Sequence, residues 1–344
     1  MEKSIKINNK KIGEFLLNNA LYFILGIIII SVIIIEPRFA SISNIINILK
    51  QSSTKGILAL GCAGLIVLAG TDLSIGRIVG LSAAVTASLV QATSYASRMY
   101  PQITEPVNLF IPFALAIAVS VIFSLINGFG VAYLHLHAFI ITLGTSLVAY
   151  GINCIYIESQ PSGSAQALST FNQDFLDIVN NTVNFTKDIK VPYVIFYFLI
   201  AAIIMYFVWN KTKFGKNMFA VGGNPDAAAV SGVNVNKTIM LVFMVSGILY
   251  GVAAFLEAAR VQSVGTNTGL NYELDAISAC VIGGVSFSGG VGTIPGVVLG
   301  TIILQAINYC LYFLGINAYL QYIIKGLIII IAVAIDVRKY MAKK

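Results

Sequence analysis

The feature that most constrains this chain is a repeated one: run after run of apolar residues, each about as long as a bilayer is thick. A helix needs roughly 20 predominantly apolar residues to cross the hydrocarbon core. Parsed by its glycine, proline and charged breakers, the sequence offers about ten such segments: 18–35, 44–70, 75–93, 109–134, 138–157, 192–209, 237–258, 272–288, 291–313 and 319–335. Inside lipid every backbone N–H and C=O must find a partner within the protein, and long apolar runs meet that demand as helices. The expected fold class is an all-α integral membrane protein, a polytopic bundle of about ten transmembrane helices forming one domain over 1–344. A tail at 1–17, a polar loop at 158–191 and a second loop at 210–236 lie outside the spans. Charged residues make up 10% of the chain, against roughly 25% in soluble domains, and mean hydropathy is +0.88. Both values argue against a soluble class. The run 21–35 follows lysines as a signal peptide would, but Glu36-Pro37-Arg38 reads as a helix end rather than a cleavage site, which makes it the first span.

A formal net charge of +7 raises nucleic acid as a partner. The basic residues are scattered among loops and ends without a stripe or interleaved aromatics, so no nucleic acid is expected and the charge reads as an orientation signal. With the N-terminus in the cytoplasm, the inner segments hold Lys3, Lys6, Lys10, Lys11, Lys211, Lys213, Lys216, Lys237, Arg338, Lys339, Lys343 and Lys344. The outer ones hold only Arg38, Arg98, Lys187, Lys190 and Arg260. The expected arrangement is multi-pass, N-in and C-in. The outer loop 158–190 then reads as a solvated connector or as a landing surface for an extracytoplasmic partner; its two N-x-S/T matches, at Asn180 and Asn184, are short enough to arise by chance.

Cys62, Cys154, Cys280 and Cys310 each sit in an apolar run, and neither they nor His135 and His137 show a metal-ligand spacing. No metal site and no catalytic residue is expected. Gly76-x-x-x-Gly80, Gly247-x-x-x-Gly251 and Gly292-x-x-x-Gly296-x-x-x-Gly300 offer small-residue faces for close helix packing. The eighth run ends in Gly283-Gly284-Val285-Ser286-Phe287-Ser288-Gly289-Gly290, too glycine-rich for a regular helix. Broken backbone at membrane depth survives only within protein or beside a watery cavity, so 283–292 is expected inside the bundle as a re-entrant segment. GLIVLAGTDLSIGRIVG (64–80) loosely echoes ACVIGGVSFSGGVGTIPG (279–296), as an internal repeat would.

One polar stretch is out of character. In GGNPDAAAVSGV (222–233), Asn224 suits an N-cap, Pro225 the first helical position and Asp226 the positive end of the helix dipole. Ala227, Ala228 and Ala229 are strong helix formers, and Gly232 is placed to end the helix left-handed. About two turns cannot stand alone in water. The segment lies on its own protein, on the membrane interface, or in a partner's groove. It lacks the large apolar anchors of interfacial helices, which favours the groove.

Around these residues a resemblance emerges. FGKNMFAVGGNPDAAAVSGVNV (214–235) resembles the cytoplasmic loop of sugar-importing ABC permeases of the ribose/galactose/xylose class. GTDLSIGR (70–77), YELDAISACVIGGVSFSGGVGT (272–293) and QYIIKGLIIIIAVAID (321–336) agree with the same class, so the likeness runs nearly end to end. Val285 to Gly290, and Thr71 to Ser74 followed by Arg77, look like the galactose/methyl-galactoside branch rather than the ribose branch. The resemblance implies a non-catalytic permease subunit in a homodimer, set in the lipid of the cytoplasmic (inner) membrane of a bacterium. A cytoplasmic ABC ATPase would hydrolyse ATP-Mg, with no cofactor on this chain, and an extracytoplasmic sugar-binding protein would deliver a monosaccharide: galactose, a methyl-galactoside or glucose. It also implies that 222–232 is the coupling helix, with Gly223, Asn224, Pro225, Asp226, Ala227 and Ala228 in the ATPase groove. An ion-coupled secondary sugar transporter is the competing reading.

Polar residues within the spans each allow two accounts. Asp72, Ser74 and Arg77 cap or snorkel at the break between the second and third spans, or take part in gating, as do Ser288, Gly289 and Gly290 at the later break. Glu257 and Arg260, three apart on a helix face, are expected to pair. Asp275 or Glu273 is expected to meet a cation such as Arg260 or Lys325. Asn127, Phe139, Thr142, Thr145, Asn153 and Asn308 are candidates for the sugar's path, or else interhelical hydrogen bonds and lipid-facing rings.

Overall fold

The computed structural model describes residues 20–341 except 162, 164, 187 and 188. The 1–17 tail with its lysines, Lys187 in the outer loop, and Lys343 and Lys344 lie outside the described residues. In chain order the helices are α1 (Ala20–Ile35), α2 (Ile42–Val67), α3 (Ile75–Leu89), α4 (Phe110–Ala132), α5 (Ala138–Glu158), α6 (Gln173–Asn180) and α7 (Tyr193–Lys211). They continue as α8 (Lys213–Gly223), α9 (Pro225–Val230), α10 (Val235–Val261), α11 (Tyr272–Ile282), α12 (Ile294–Phe313) and α13 (Ala318–Met341). Among them α4, α5, α7, α10 and α12 are long and apolar enough to cross a membrane by their own length and composition. The remaining expected spans fold as helices too: α2 carries Lys50 and Lys55, while α3 and α11 are short, at 15 and 11 residues.

α2 is the axis of the bundle, buried at every residue from Gly56 to Val67 and packed by α7, α10, α11 and α12. Its small residues make this possible: Gly56 receives the Phe198 ring of α7, and Gly61 and Gly64 receive Tyr250 and Val242 of α10. Lipid tails give apolar helices no reason to associate, so such close approach supplies the packing energy. Gly247 and Gly251 of α10 rest on the backbone of α4 at Val121 and Ile117, while Gly300 of α12 rests on α11 at Ala279 and Gly296 on Gly283 just beyond it. The third stripe behaves differently. Gly76 and Gly80 of α3 meet the carbonyls of Gly269 and Thr268, in the loop before α11, rather than a helix. Faces turned away from the core stay apolar, with Leu147 and Ile155 of α5 and Ile200 and Ile204 of α7 exposed.

Both lysines of α2 find side-chain partners. Lys50 donates to Asn180 Oδ1 (2.9 Å), and Lys55 lies 3.4 Å from Asp275, which Lys325 of α13 also engages at 2.7 Å. Glu257 and Arg260 pair as expected (2.7 Å), and Glu257 accepts from Thr54 and Tyr272 as well.

The 158–190 segment is not a plain solvated connector. Strand β1 (Leu168–Ser169) pairs antiparallel with β4 (Ser263–Val264), which follows α10, and β2 (Thr182–Asn184) pairs with β3 (Lys190–Pro192). Between them α6 buries Phe175 and Val179, and Phe175 stacks edge-on against Phe171 and Phe255, the latter touching Phe113. The apolar positions of FNQDFLDIV recur at helical spacing, and burying them roots the segment in the bundle.

Candidate functional site

The two apolar-to-glycine transitions become helix–break–helix units. α2 stops at Val67 and α3 begins at Ile75; α11 stops at Ile282 and α12 begins at Ile294. The echo between 64–80 and 279–296 thus corresponds to a shared local shape. In the second break Gly284, Gly289 and Gly290 have positive φ (80°, 82° and 68°), backbone that a Cβ would strain. Val285, Ser286 and Gly289 are buried, but Gly284, Ser288 and Val291 are exposed. The segment expected inside the bundle is thus only partly buried within this chain.

The loop after α7 folds as its residues dictate. Thr212 caps α8 through Gly215 N–H (3.2 Å). Asn224 ends α8 and starts α9, its Oδ1 accepting from Ala227 N–H at 2.9 Å. Pro225 occupies the first position, Asp226 the first turn, and Gly232 follows with φ +84°. The stretch read as one unit, 222–232, is thus the end of one helix and a separate six-residue helix. Gly223 to Ala227 are exposed, as a partner surface requires, whereas Ala228 is 4% exposed and packs inward. Ala228 is therefore corrected from partner contact to anchor. The large apolar side chain turned outward is Val230, 91% exposed, which alanine-centred reasoning missed.

Gly222, just ahead of α9, joins this helix to both breaks. A Cβ there would run into the carbonyl of Val67 and lie 3.0 Å from Gly290 N. Gly290 N–H donates to Val67 O at 2.8 Å, and Gly289 and Gly290 abut Gly222 and Gly223. Three chain segments meet backbone to backbone here: the end of α8 that leads into α9, the end of α2, and the break before α12. On its other flank, a cavity of about 400 Å³ bounded by Pro225, Asp226, Ala229, His135 and Phe243 separates α9 from the α4–α5 turn.

The first break holds a buried polar cluster. Asp72 Oδ1 accepts the Ser74 amide (2.8 Å) and the Ser74 hydroxyl, so Asp72 rather than Ser74 satisfies the start of α3. Asn127 of α4 donates to Ser74 Oγ (2.9 Å) and accepts from Thr145 of α5 (2.7 Å). Thr142 Oγ1 accepts the Leu73 amide at 3.1 Å. Asn127, Thr142 and Thr145, candidates for the sugar's path, are thus bonded between helices and lock α4 and α5 to the break. Phe139 is 47% exposed on the apolar outside, and Asn308 is half-buried on α12. Arg77 is half-buried, its guanidinium 4.1 Å over the Tyr150 ring. All four cysteines are free thiols.

A polytopic helical bundle with two broken helices and a short helix braced on both is the frame of a membrane permease component, a subunit that conducts rather than catalyses. The chain belongs to the family described as "Branched-chain amino acid transport system / permease component", whose model matches residues 44–333. It is 47% identical to the galactose/methyl galactoside import permease protein MglC of Escherichia coli (strain K12), over 98% of this chain and 99% of that one. The protein of the same description from Haemophilus influenzae is 45% identical over 98% and 99%. The ribose import permease protein RbsC of H. influenzae is 36% identical over 96% of each. No solved structure matches the chain.

Proposed function

We propose that this chain is the membrane-embedded permease subunit of an ATP-driven ABC importer for galactose and methyl galactosides. The observation that carries the substrate is near-full-length identity to galactose/methyl galactoside import permeases, well above that to the ribose permeases. In this reading two copies form the pore, an extracytoplasmic binding protein delivers the sugar, and ATP-Mg is hydrolysed on a cytoplasmic ATPase. Both termini are cytoplasmic, on the positive-inside bias of the lysines.

α9 is the coupling helix, seated in a groove of the ATPase through Gly223, Asn224, Pro225, Asp226, Ala227 and Val230. What supports this is its exposure on one side and its backbone contact, through Gly222, with Val67 and Gly290 on the other. Displacing α9 displaces both breaks, including Asp72, Ser74, Ser288, Gly289 and Gly290, and that movement opens the path. The ion-coupled alternative finds no support, since the relatives are import permeases.

The test is galactose uptake by vesicles holding the permease, ATPase and binding protein. Vanadate is expected to stop it and a protonophore to leave it intact; the opposite pattern defeats the reading. Asp226→Lys and Val230→Asp are expected to leave the permease inserted while abolishing uptake and recovery of the ATPase on purification. Unchanged uptake in both removes α9 from the coupling role.

A further inference from the structure

Charged and polar groups within the spans divide into those fully engaged and those left over. Glu257 is held by Arg260, Thr54 and Tyr272, and Asp275 by Lys55 and Lys325. A different group is incompletely matched. Arg77 lies over Tyr150 and leaves its buried Nη1 without an acceptor. One turn beyond Tyr150 on α5, Asn153 is 2% exposed; its Nδ2 donates weakly to Thr266 O (3.4 Å), and its Oδ1 has no donor. Glu273, in the first turn of α11, has its carboxylate against Gly76, the residue before Arg77, and joins none of the ion pairs among the described residues.

Asn153 and Glu273 adjoin the loop 265–271, whose Thr268 and Gly269 carbonyls press on α3 beside Arg77. Tyr150 is the thirteenth residue of the 21-residue α5, about 18 Å along a helix of roughly 31 Å, so the group sits near mid-span. Irregular backbone and intramembrane charge at that depth belong beside a cavity or a transported ligand. The group pairs a free donor with a free acceptor, beside an aromatic ring, with one cationic and one anionic side chain. A metal ion or a charged solute answers only one sign of such a set, whereas a hydroxyl both donates and accepts.

We propose that Arg77, Tyr150, Asn153 and Glu273, with the loop 265–271, form the contact site for a neutral polyhydroxylated ligand, the sugar in transit. The sugar class rests on the functional reading above. The hydroxyls supply the acceptor that Arg77 Nη1 lacks and the donor that Asn153 Oδ1 lacks, and Glu273 accepts from a further hydroxyl. The Arg77–Tyr150 stack holds both groups in place without consuming the guanidinium's donors. Because Gly76 and Gly80 of α3 pack directly on the loop 265–271, the movement of the first break that α9 drives also parts the loop from α3 and admits the sugar.

The experiment uses the assembled importer in vesicles, comparing galactose with methyl β-galactoside for Arg77→Lys, Tyr150→Phe, Asn153→Ala and Glu273→Gln. Sugar delivered per ATP hydrolysed is expected to fall about three- to tenfold in Asn153→Ala and Glu273→Gln, with the ratio of the two sugars shifted. ATPase stimulation by the loaded binding protein is expected to stay within about twofold of the unmodified importer, the loss of one such hydrogen bond being a local effect. Unaltered amount and ratio in all four variants mean that water alone fills the group, and the proposal falls. Uptake and stimulated ATPase that decline together, in step with folded protein, give the residues a structural role and also overturn it. If the unmodified importer moves sugar without its ATPase, the functional reading fails instead.

Discussion

Gly222 is where the short cytoplasmic helix of the proposed mechanism becomes mechanically continuous with the bundle, and Gly222→Ala probes that joint with one methyl group. The added Cβ would lie 2.9 Å from the carbonyl carbon of Val67 and 3.0 Å from Gly290 N, with the Val67 oxygen closer still. Backbone atoms cannot rotate away as a side chain does, so the segments must part, by on the order of 1 Å. Overpacking of this kind costs about 1–3 kcal/mol. The separation also stretches the 2.8 Å Gly290–Val67 hydrogen bond, which contributes about 1 kcal/mol when intact. A total loss of about 2–4 kcal/mol is expected. Cys62, Cys280 and Cys310 are buried free thiols, so thermal unfolding of purified permease can be followed by their reaction with a thiol-sensitive dye. Gly144→Ala is the control, since nothing lies within 4 Å of its Cβ, and alanine there gains about 1 kcal/mol of helix propensity. Gly222→Ala should melt several degrees lower and transport less sugar per ATP. A melting curve that overlays the Gly144→Ala control refutes the three-way backbone contact and the mechanism built on it.

Further outcomes follow from individual contacts. Asn224→Ala removes the Asn224–Ala227 cap and should cost about 1 kcal/mol, read as faster amide exchange confined to 225–230. Asp275→Asn strips the counter-charge from Lys55 and Lys325, and breaking such a buried set should cost about 3–5 kcal/mol; Asp275→Glu should recover part of it, and equal melting of both variants would show the pairs idle. Phe175→Ala opens a void beneath α6, where Phe171 and Phe255 stack on the ring, and about 3–5 kcal/mol should be lost, seen as early proteolysis in 165–185.

Local chemistry alone determined much of this protein. Apolar length forced helices, because lipid offers the backbone no partner, and the glycine cluster 283–290 marked the second break, because glycine enters left-handed backbone with least strain. Asn224, Pro225, Asp226 and Gly232 wrote the limits of α9, since capping and dipole effects act within a single turn. The Glu257–Arg260 pair was equally readable, its partners being one turn apart. Only the tertiary structure decided what each of these elements touches. Nothing near Gly222 says that Val67 and Gly290 press against it, nor near Ala228 that it faces inward while Val230 faces out. Asn127, Thr142 and Asn153 are the same kind of residue in sequence, yet two are spent on bonds between helices and the third keeps an open acceptor. The physical reason is range: propensity, capping and hydropathy are properties of neighbours in the chain, whereas the satisfaction of a buried polar atom depends on whichever distant segment the packing of small residues brings within 3 Å.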